Sequence, residues 1–381
     1  MKNRYIKNLI YVLFLLGHWG CHEKKEITSK FVISLKDCIK SKEYFSFDHL
    51  AQNLTLIELK QSKGKFISGV NKIIVTHDTH IFLLNGQTAI YDYDENGNLH
   101  NVIGKIGKGP GEFMEATDFC LSKDESLVHV LSRYYIHTFK RSGEFVGKID
   151  ITNYRKDDYL PEYIEEDGGD GFYLWDSNPS KVSDFDSPFY CLWHINKKSK
   201  VLGRFFERTE FVFELPRFTK SFDGGYWIRP LEGSWCLFKI SSNELVNEAS
   251  IDFGGKSLPK NYFSRFQDSP YQNLDKWVNS DYYKMPSNFY DNSNYLIFTY
   301  GGPNGITCDC LYNKLSSNII SKRRNSNNPE ILFADSTYFY SYYDPSSADV
   351  NEMDSVFRTL IQKEQNLFDK NFIFKFKLNE N

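Results

Sequence analysis

This sequence has no excess of either charge. Over 381 residues, 46 Lys and Arg stand against 49 Asp and Glu, a formal net charge of −3. A nucleic-acid surface needs a concentration of cations to displace phosphate counterions, so no nucleic acid is expected as a partner. The one basic cluster, Ser321-Lys322-Arg323-Arg324, is short and reads as a solvated turn. Apolar runs long enough to cross a bilayer are lacking at the N-terminus: residues 9–16 (LIYVLFLL) are too few for a spanning helix. Cysteine follows no framework spacing. Cys38, Cys120, Cys191, Cys236, Cys308 and Cys310 are scattered, and Cys308-Asp309-Cys310 lacks the Cys-x-x-Cys spacing of a redox motif and any second pair for a zinc site. They read as small buried hydrophobes. No Gly-x-Ser-x-Gly elbow is present. What the chain does have is aromatic residues: 17% of the total, with 32 Phe and 25 Tyr, within 41% hydrophobic content. Such side chains suit the half-buried pleat of a strand, so the composition points to an all-β fold with a sizeable core.

The first 21 residues read as an export signal. Lys2, Arg4 and Lys7 precede the apolar run, which ends at Gly20-Cys21 and is followed by the polar stretch His22-Glu23-Lys24-Lys25-Glu26. This end resembles the bacterial lipobox, in which the Cys thiol takes a diacylglycerol; His18 and Trp19 depart from its usual pattern. The expectation is a signal peptide over 1–21, lipidation at Cys21, an N-terminal tether over 22–50 and one domain over 51–381. An N-terminal lipid anchor would make the membrane a partner and place the protein at the cell envelope, on the outer membrane.

A repeat runs through the rest. Each unit holds a β-run, a polar turn, an aromatic-rich run, a second turn and a third run. Copies begin at Lys72, at Asp118, at Tyr163 and near Phe218, then near Asn288 and at Ile331, the last resuming at 371–378 (NFIFKFKL). Their second turns fall near Gly97, Gly143, Ser199, Ser242 and Leu315. A period of forty-odd residues with insertions is that of four-stranded propeller blades. The expected fold is therefore all-β, a six-bladed β-propeller of four-stranded antiparallel blades. The sixth copy lacks an outer strand, and residues 53–59 (NLTLIEL) are a spare one; donating them to the last blade would close the ring and cover an edge. Two stretches break the pattern: 258–286 reads as a partly helical insertion, and 347–369 as a helix with Val350, Met353, Phe357, Leu360 and Ile361 on one face, packed on the propeller.

Residues 104–113 (GKIGKGPGEF) are not a phosphate loop, since no Gly-Lys-Ser/Thr follows and Pro110 removes a backbone donor. Gly107, Gly109, Pro110 and Gly111 are read instead as a structural crossover between blades, where glycine permits sharp angles. With the preceding YDYDENGNLHNVIG, this segment resembles the G-x-G-P-G-E-F signature of the six-bladed β-propeller lipoproteins of Bacteroidetes, related in style to NHL-repeat propellers. IDFGGKSLPKNYF (251–263) and the closing FIFKFKL are similar to that family too. The resemblance, over about residues 50–380, implies an exported, surface-associated protein.

Chemistry-bearing residues are thin. His77, His80, His129 and His137 offer possible ligands, and Asp118, Glu165, Glu166 and Asp167 could line a propeller mouth. Asp and Gly at hairpin tips are more often turn formers. No catalytic set and no cofactor is expected, apart from the option of a divalent cation in the central channel. Two functions follow: a monomeric lipid-anchored binding or scaffold module for a protein or glycan, or a hydrolase or lyase acting on a sugar or lactone with a channel cation. The second requires at least three of His77, Asp78, His80, Asp118, Glu165 and Asp223 to converge on the axis.

Overall fold

Alternation of apolar and polar residues, broken by Asp, Asn, Ser and Gly, folds this chain into six antiparallel sheets arranged as the blades of a ring. A computed structural model describes residues 29–38, 42–61, 67, 69–157, 160–176, 189–208, 219–228, 236–241, 244–257, 259, 276, 279–284, 286–346 and 348–379. Blade 1 holds Val70–Val75, Ile81–Asn85, Ala89–Tyr93 and Leu99–Ile103. Blade 2 holds Asp118–Leu121, Leu127–Ser132, Tyr135–Lys140 and Phe145–Asp150. Blade 3 holds Tyr163–Glu166, Gly171–Trp175, Phe189–Asn196 and Val201–Arg208. Blade 4 holds Thr219–Lys220, Tyr226–Ile228, Cys236–Ser241 and Glu244–Asp252. Blade 5 holds Pro286–Asp291, Tyr295–Gly301, Thr307–Asn313 and Ile319–Arg323. In blade 6, Glu330–Ala334, Phe339–Tyr343 and Phe372–Leu378 are completed by Ala51–Glu58. That N-terminal strand pairs antiparallel with the last one, Ala51 opposite Leu378 and Glu58 opposite Phe372, so the spare strand does close the ring.

Strand order within each blade gives the ring two unlike faces. The turns joining first to second strands are short, as at 76–80, 122–126 and 292–294, and so are those joining third to fourth in blades 1 to 5. All of them lie at one end, the turn face. The connections from second to third strands, and from each blade to the next, leave from the other end, the loop face. The long ones, 104–117, 253–285 and 344–371, are all of this kind. Side chains build the turns: Asp94 Oδ1 accepts from the N–H groups of Asn96 and Asn98 at 2.9 and 2.8 Å, and Asp335 Oδ1 from those of Thr337 and Tyr338 at 2.7 and 2.6 Å.

The stretch expected as a tether is part of the fold where it is described. Phe31–Ser34 adds a fifth strand to the outer edge of blade 4, parallel to Glu244–Asp252, with Phe31 opposite Ala249 and Ser34 opposite Asp252. Ile33 and Leu35 are fully buried there. Tyr44 bridges Arg323 of blade 5, and Phe45 and Phe47 pack into the seam between blades 5 and 6. Apolar side chains on one face fix this segment, and pairing covers an otherwise open edge.

The expected helix over 347–369 is shorter than its periodicity implied. One helix, α1 (Ser355–Ile361), is flanked by 3-10 turns at Val350–Glu352 and Leu367–Asp369. Side-chain bonds interrupt a continuous helix: Asp349 caps the first turn through the Asn351 N–H, and Asp354 accepts from the Phe47 N–H at 2.6 Å. Phe357 and Ile361 bury against blade 6, as the helical spacing required. Most of 258–286 lies outside the described residues, as do the signal segment and Cys21.

Residues 104–117 link the outer strand of blade 1 to the inner strand of blade 2. Lys105–Ile106 pairs in parallel with Glu112–Phe113, and the Gly107 N–H donates to Phe113 O at 3.0 Å. Between them Gly109-Pro110-Gly111-Glu112 forms a turn closed by the Glu112 N–H on Gly109 O at 3.0 Å. Proline second and glycine third, the latter at φ +72°, are the residues of a type II turn. A Cβ on Gly111 would lie 2.8 Å from Phe145 Cβ, so the close approach also requires glycine. The segment drives Phe113 into the apolar seam between blades 1 and 2.

Candidate functional site

The first strands of the blades line the axis, where they enclose a cavity of about 420 Å³, within the size of small-ligand sites. All six blades contribute, among them through Lys72, Asp118, Glu165, Thr219, Tyr290 and Phe333. The lining runs from Gln87, in the loop-face turn of blade 1, to Tyr290 and Ala334 near the turn-face ends of their strands.

Three charged groups from three blades meet in this channel. Lys72 Nζ lies 3.2 Å from both carboxylate oxygens of Asp118 and 2.7 Å from Glu165 Oε1. Asp118 also accepts the Ile164 N–H at 2.9 Å, tying blade 2 to the backbone of blade 3. Both carboxylates are buried and Lys72 is one-fifth exposed. Burial alone would lower the Lys72 pKa, but the facing carboxylates outweigh it and hold the ammonium protonated. Burial pushes Asp118 and Glu165 above the usual carboxylate range, with Lys72 opposing the shift. A lysine held this firmly as a cation is neither a base nor a nucleophile. The trio presents buried charge and hydrogen-bonding groups to the channel.

Only two of the six expected channel ligands are in the channel. Asp118 and Glu165 line it; His77, Asp78, His80 and Asp223 belong to the turn face. His77 is exposed and meets Glu125 at 2.8 Å, and His80 meets Asp92 at 2.7 Å. Asp78 binds Arg141 at 2.9 Å and Asp223 binds Lys239 at 2.5 Å. For Asp78, burial would raise the pKa, but Thr76 and Arg141 draw it down to about 2. Glu166 and Asp167 also lie away from the mouth. Glu166 accepts the Lys123 N–H at 2.6 Å and Asp167 meets His194 at 2.8 Å, both holding turns in place. His129 and His137 are buried in blade 2, and burial lowers each to about 4. Among the described residues no group of three His, Cys, Asp or Glu side chains is placed to hold a metal ion. The six cysteines from Cys38 onward are free thiols.

Lys72 is the channel residue that sequence reasoning passed over. Its signal is a lone lysine inside VNKIIV, the inner strand of blade 1, directly before the apolar run Ile73-Ile74-Val75.

The ring and its channel define the class, a six-bladed β-propeller. Within it, the chain belongs to the family described as Domain of unknown function (DUF4934), whose model matches residues 30–375. A comparison with functionally curated proteins gives no match. Among solved structures, a protein of Bacteroides fragilis assigned as exported is similar at a TM-score of 0.70 and 14% identity, covering 92% of this chain and all of that one. A protein of unknown function from Bacteroides caccae aligns at a TM-score of 0.34 and 13% identity, covering 71% of this chain and 82% of its own.

Proposed function

We propose that this protein is an exported, lipid-anchored binding module of the cell envelope, whose loop face takes a protein or glycan partner at the channel mouth. The observation that carries the reading is the 420 Å³ cavity on the axis: all six blades line it, Gln87 of the loop face among its lining residues, and it contains the buried charge trio of Lys72, Asp118 and Glu165. Export is supported by the apolar N-terminal run ending at Gly20-Cys21 and by the fold shared with the Bacteroides fragilis protein. Fold by itself assigns no function, so the reading rests on the cavity.

The test is capture from an envelope fraction and from a glycan panel, comparing the wild type with Lys220→Glu and Gln87→Trp at the cavity wall. A partner retained by the wild type and lost by both variants, with unchanged unfolding temperature, is the expected result. Equal retention would move the binding surface elsewhere. The competing reading, a cation-dependent hydrolase or lyase, predicts a stoichiometric divalent ion in the purified chain after dialysis. Finding one would displace the binding-module reading.

A further inference from the structure

The inner strands of the blades do not all meet the axis in the same way. Those of blades 2 and 3, which carry Asp118 and Glu165, pair with their neighbours without interruption. Those of blades 5, 6 and 1 each shift register once, between Ser287 and Tyr290, between Ile331 and Phe333, and between Val70 and Ile73. A bulge bends its strand and re-aims the side chains beside it. Lys72 sits inside the bulge of blade 1 and reaches across to the carboxylates of blades 2 and 3. Phe333 ends the bulge of blade 6, half-buried with its ring centre 5.7 Å from that of Tyr340, and it lines the cavity.

The channel therefore has two unlike walls. Blades 1 to 4 present charge: the trio, then Lys220, which is exposed, forms no ion pair among the described residues and favours the ionised form of Glu165. Across the axis from blade 3, blade 6 presents only Leu332, Phe333 and Ala334. Charge restricts what fits between them. With Glu162 the lining holds three carboxylates and two ammonium groups, so an anion meets the carboxylates and a cation meets lysines that already hold them. A neutral molecule avoids both conflicts. A carboxylate only accepts hydrogen bonds and an ammonium only donates them, whereas a hydroxyl does both. Interleaved acceptors and donors are thus matched by a molecule with adjacent hydroxyls, and the blade 6 wall by an apolar face on the same molecule. A pyranose carries both on one rigid ring.

We propose that the axial cavity binds a neutral sugar unit, its hydroxyls on Lys72, Asp118, Glu165 and Lys220 and its C–H face on Phe333. The inference rests on the binding-module reading above and narrows the partner to a glycan containing an uncharged pyranose.

The experiment is calorimetric titration of the purified chain with neutral hexoses and their short oligosaccharides, each beside its uronic acid and its amino-sugar counterpart. At least one neutral sugar is expected to bind, with the matching uronic acid and amino sugar about tenfold weaker. A deoxy analogue of the bound sugar should lose about tenfold, as should Phe333→Leu and the triple variant Lys72→Met, Asp118→Leu, Glu165→Met. The deoxy analogue leaves the protein unchanged, so a variant that fails to fold does not decide the outcome. Tighter binding of a uronic acid or an amino sugar, or no sugar bound at millimolar concentration, overturns the proposal. Competition separates it from the reading beneath. A partner captured from the envelope fraction, lost with Lys220→Glu and Gln87→Trp but not displaced by any neutral sugar, removes the sugar and keeps the binding module. Absence of both a partner and a sugar removes the two together.

Discussion

Blades 1 to 3 meet at the axis through ions, and blades 5 and 6 meet at the rim through aromatic rings. In the channel, Lys72, Asp118 and Glu165 join three blades beside a cavity open to solvent. At the closing seam, the Phe357 ring sits 5.4, 4.9 and 5.7 Å from those of Phe47, Phe374 and Phe376, each at a steep angle. A buried ion group is no more stabilising than well-packed apolar side chains of the same volume, because desolvation offsets the attraction. Edge-to-face rings add to area burial. The difference teaches a division of labour. Where the ring must not open, the chain uses packing; where a partner could enter, it keeps charge.

Four substitutions test this contrast. The largest effect is expected for Phe357→Ala at the seam, about 4 kcal/mol of stability lost in denaturant titration, since a fully buried ring leaves a cavity on closely packed neighbours. Next comes Lys72→Met, with about 3 kcal/mol lost at neutral pH because two buried carboxylates are left unpaired. Adding Asp118→Leu and Glu165→Met should restore most of it, whereas no partner substitution rescues Phe357→Ala. If the triple variant stays as unstable as the single one, the channel trio is a packing element like the seam.

Acid tests follow. His137 is held near pKa 4 by burial, below the ordinary value of 6.5, and neither ring nitrogen has a hydrogen-bond partner among the described residues. The unfolded chain therefore binds the extra proton between these values, and stability falls as pH drops from 6.5 to 4. His137→Phe should remove about 2–3 kcal/mol of that loss, read as a flatter dependence of unfolding temperature on pH. The smallest effect is at Asp309, whose carboxyl burial raises to about 6 despite Arg324 at 3.7 Å. The fold favours its protonated form, so this site costs stability as pH rises from 4 through 6. Asp309→Asn should gain about 2 kcal/mol at pH 7 and nothing below pH 4.

Most of the fold could be read from the sequence because hairpin turns declare themselves. Asp94 and Gly97 in blade 1 and Gly143 in blade 2 mark strand ends through backbone needs that few other residues meet. The closing strand was readable as a surplus run opposite a deficient repeat, and it lies over Ala51–Glu58. Phe31–Ser34 was not: its partner is parallel and more than two hundred residues away, with no turn to announce it. The channel was only half legible. Asp118 and Glu165 could be named, but histidines and aspartates at turn tips looked equally eligible. Which end of a strand faces the mouth depends on blade order, not on local sequence. Lys72 carries no metal-ligand signal, and a cation between two carboxylates answers a different chemical question.

The seam between first and last strands also sets a schedule. Ala51–Glu58 is made early and stays without its neighbour until Phe372–Leu378 follows, with the Lys370–Glu58 ion pair bridging 312 positions. Such distant contacts are slow to form because a long loop must be ordered first. Until then the chain is an open arc with two unsatisfied edges, each a template for pairing with another molecule. Truncation at residue 371 would make that arc permanent. Its predicted fate is not a five-bladed ring but an oligomer, in which one molecule's leading strand is claimed by the trailing edge of the next.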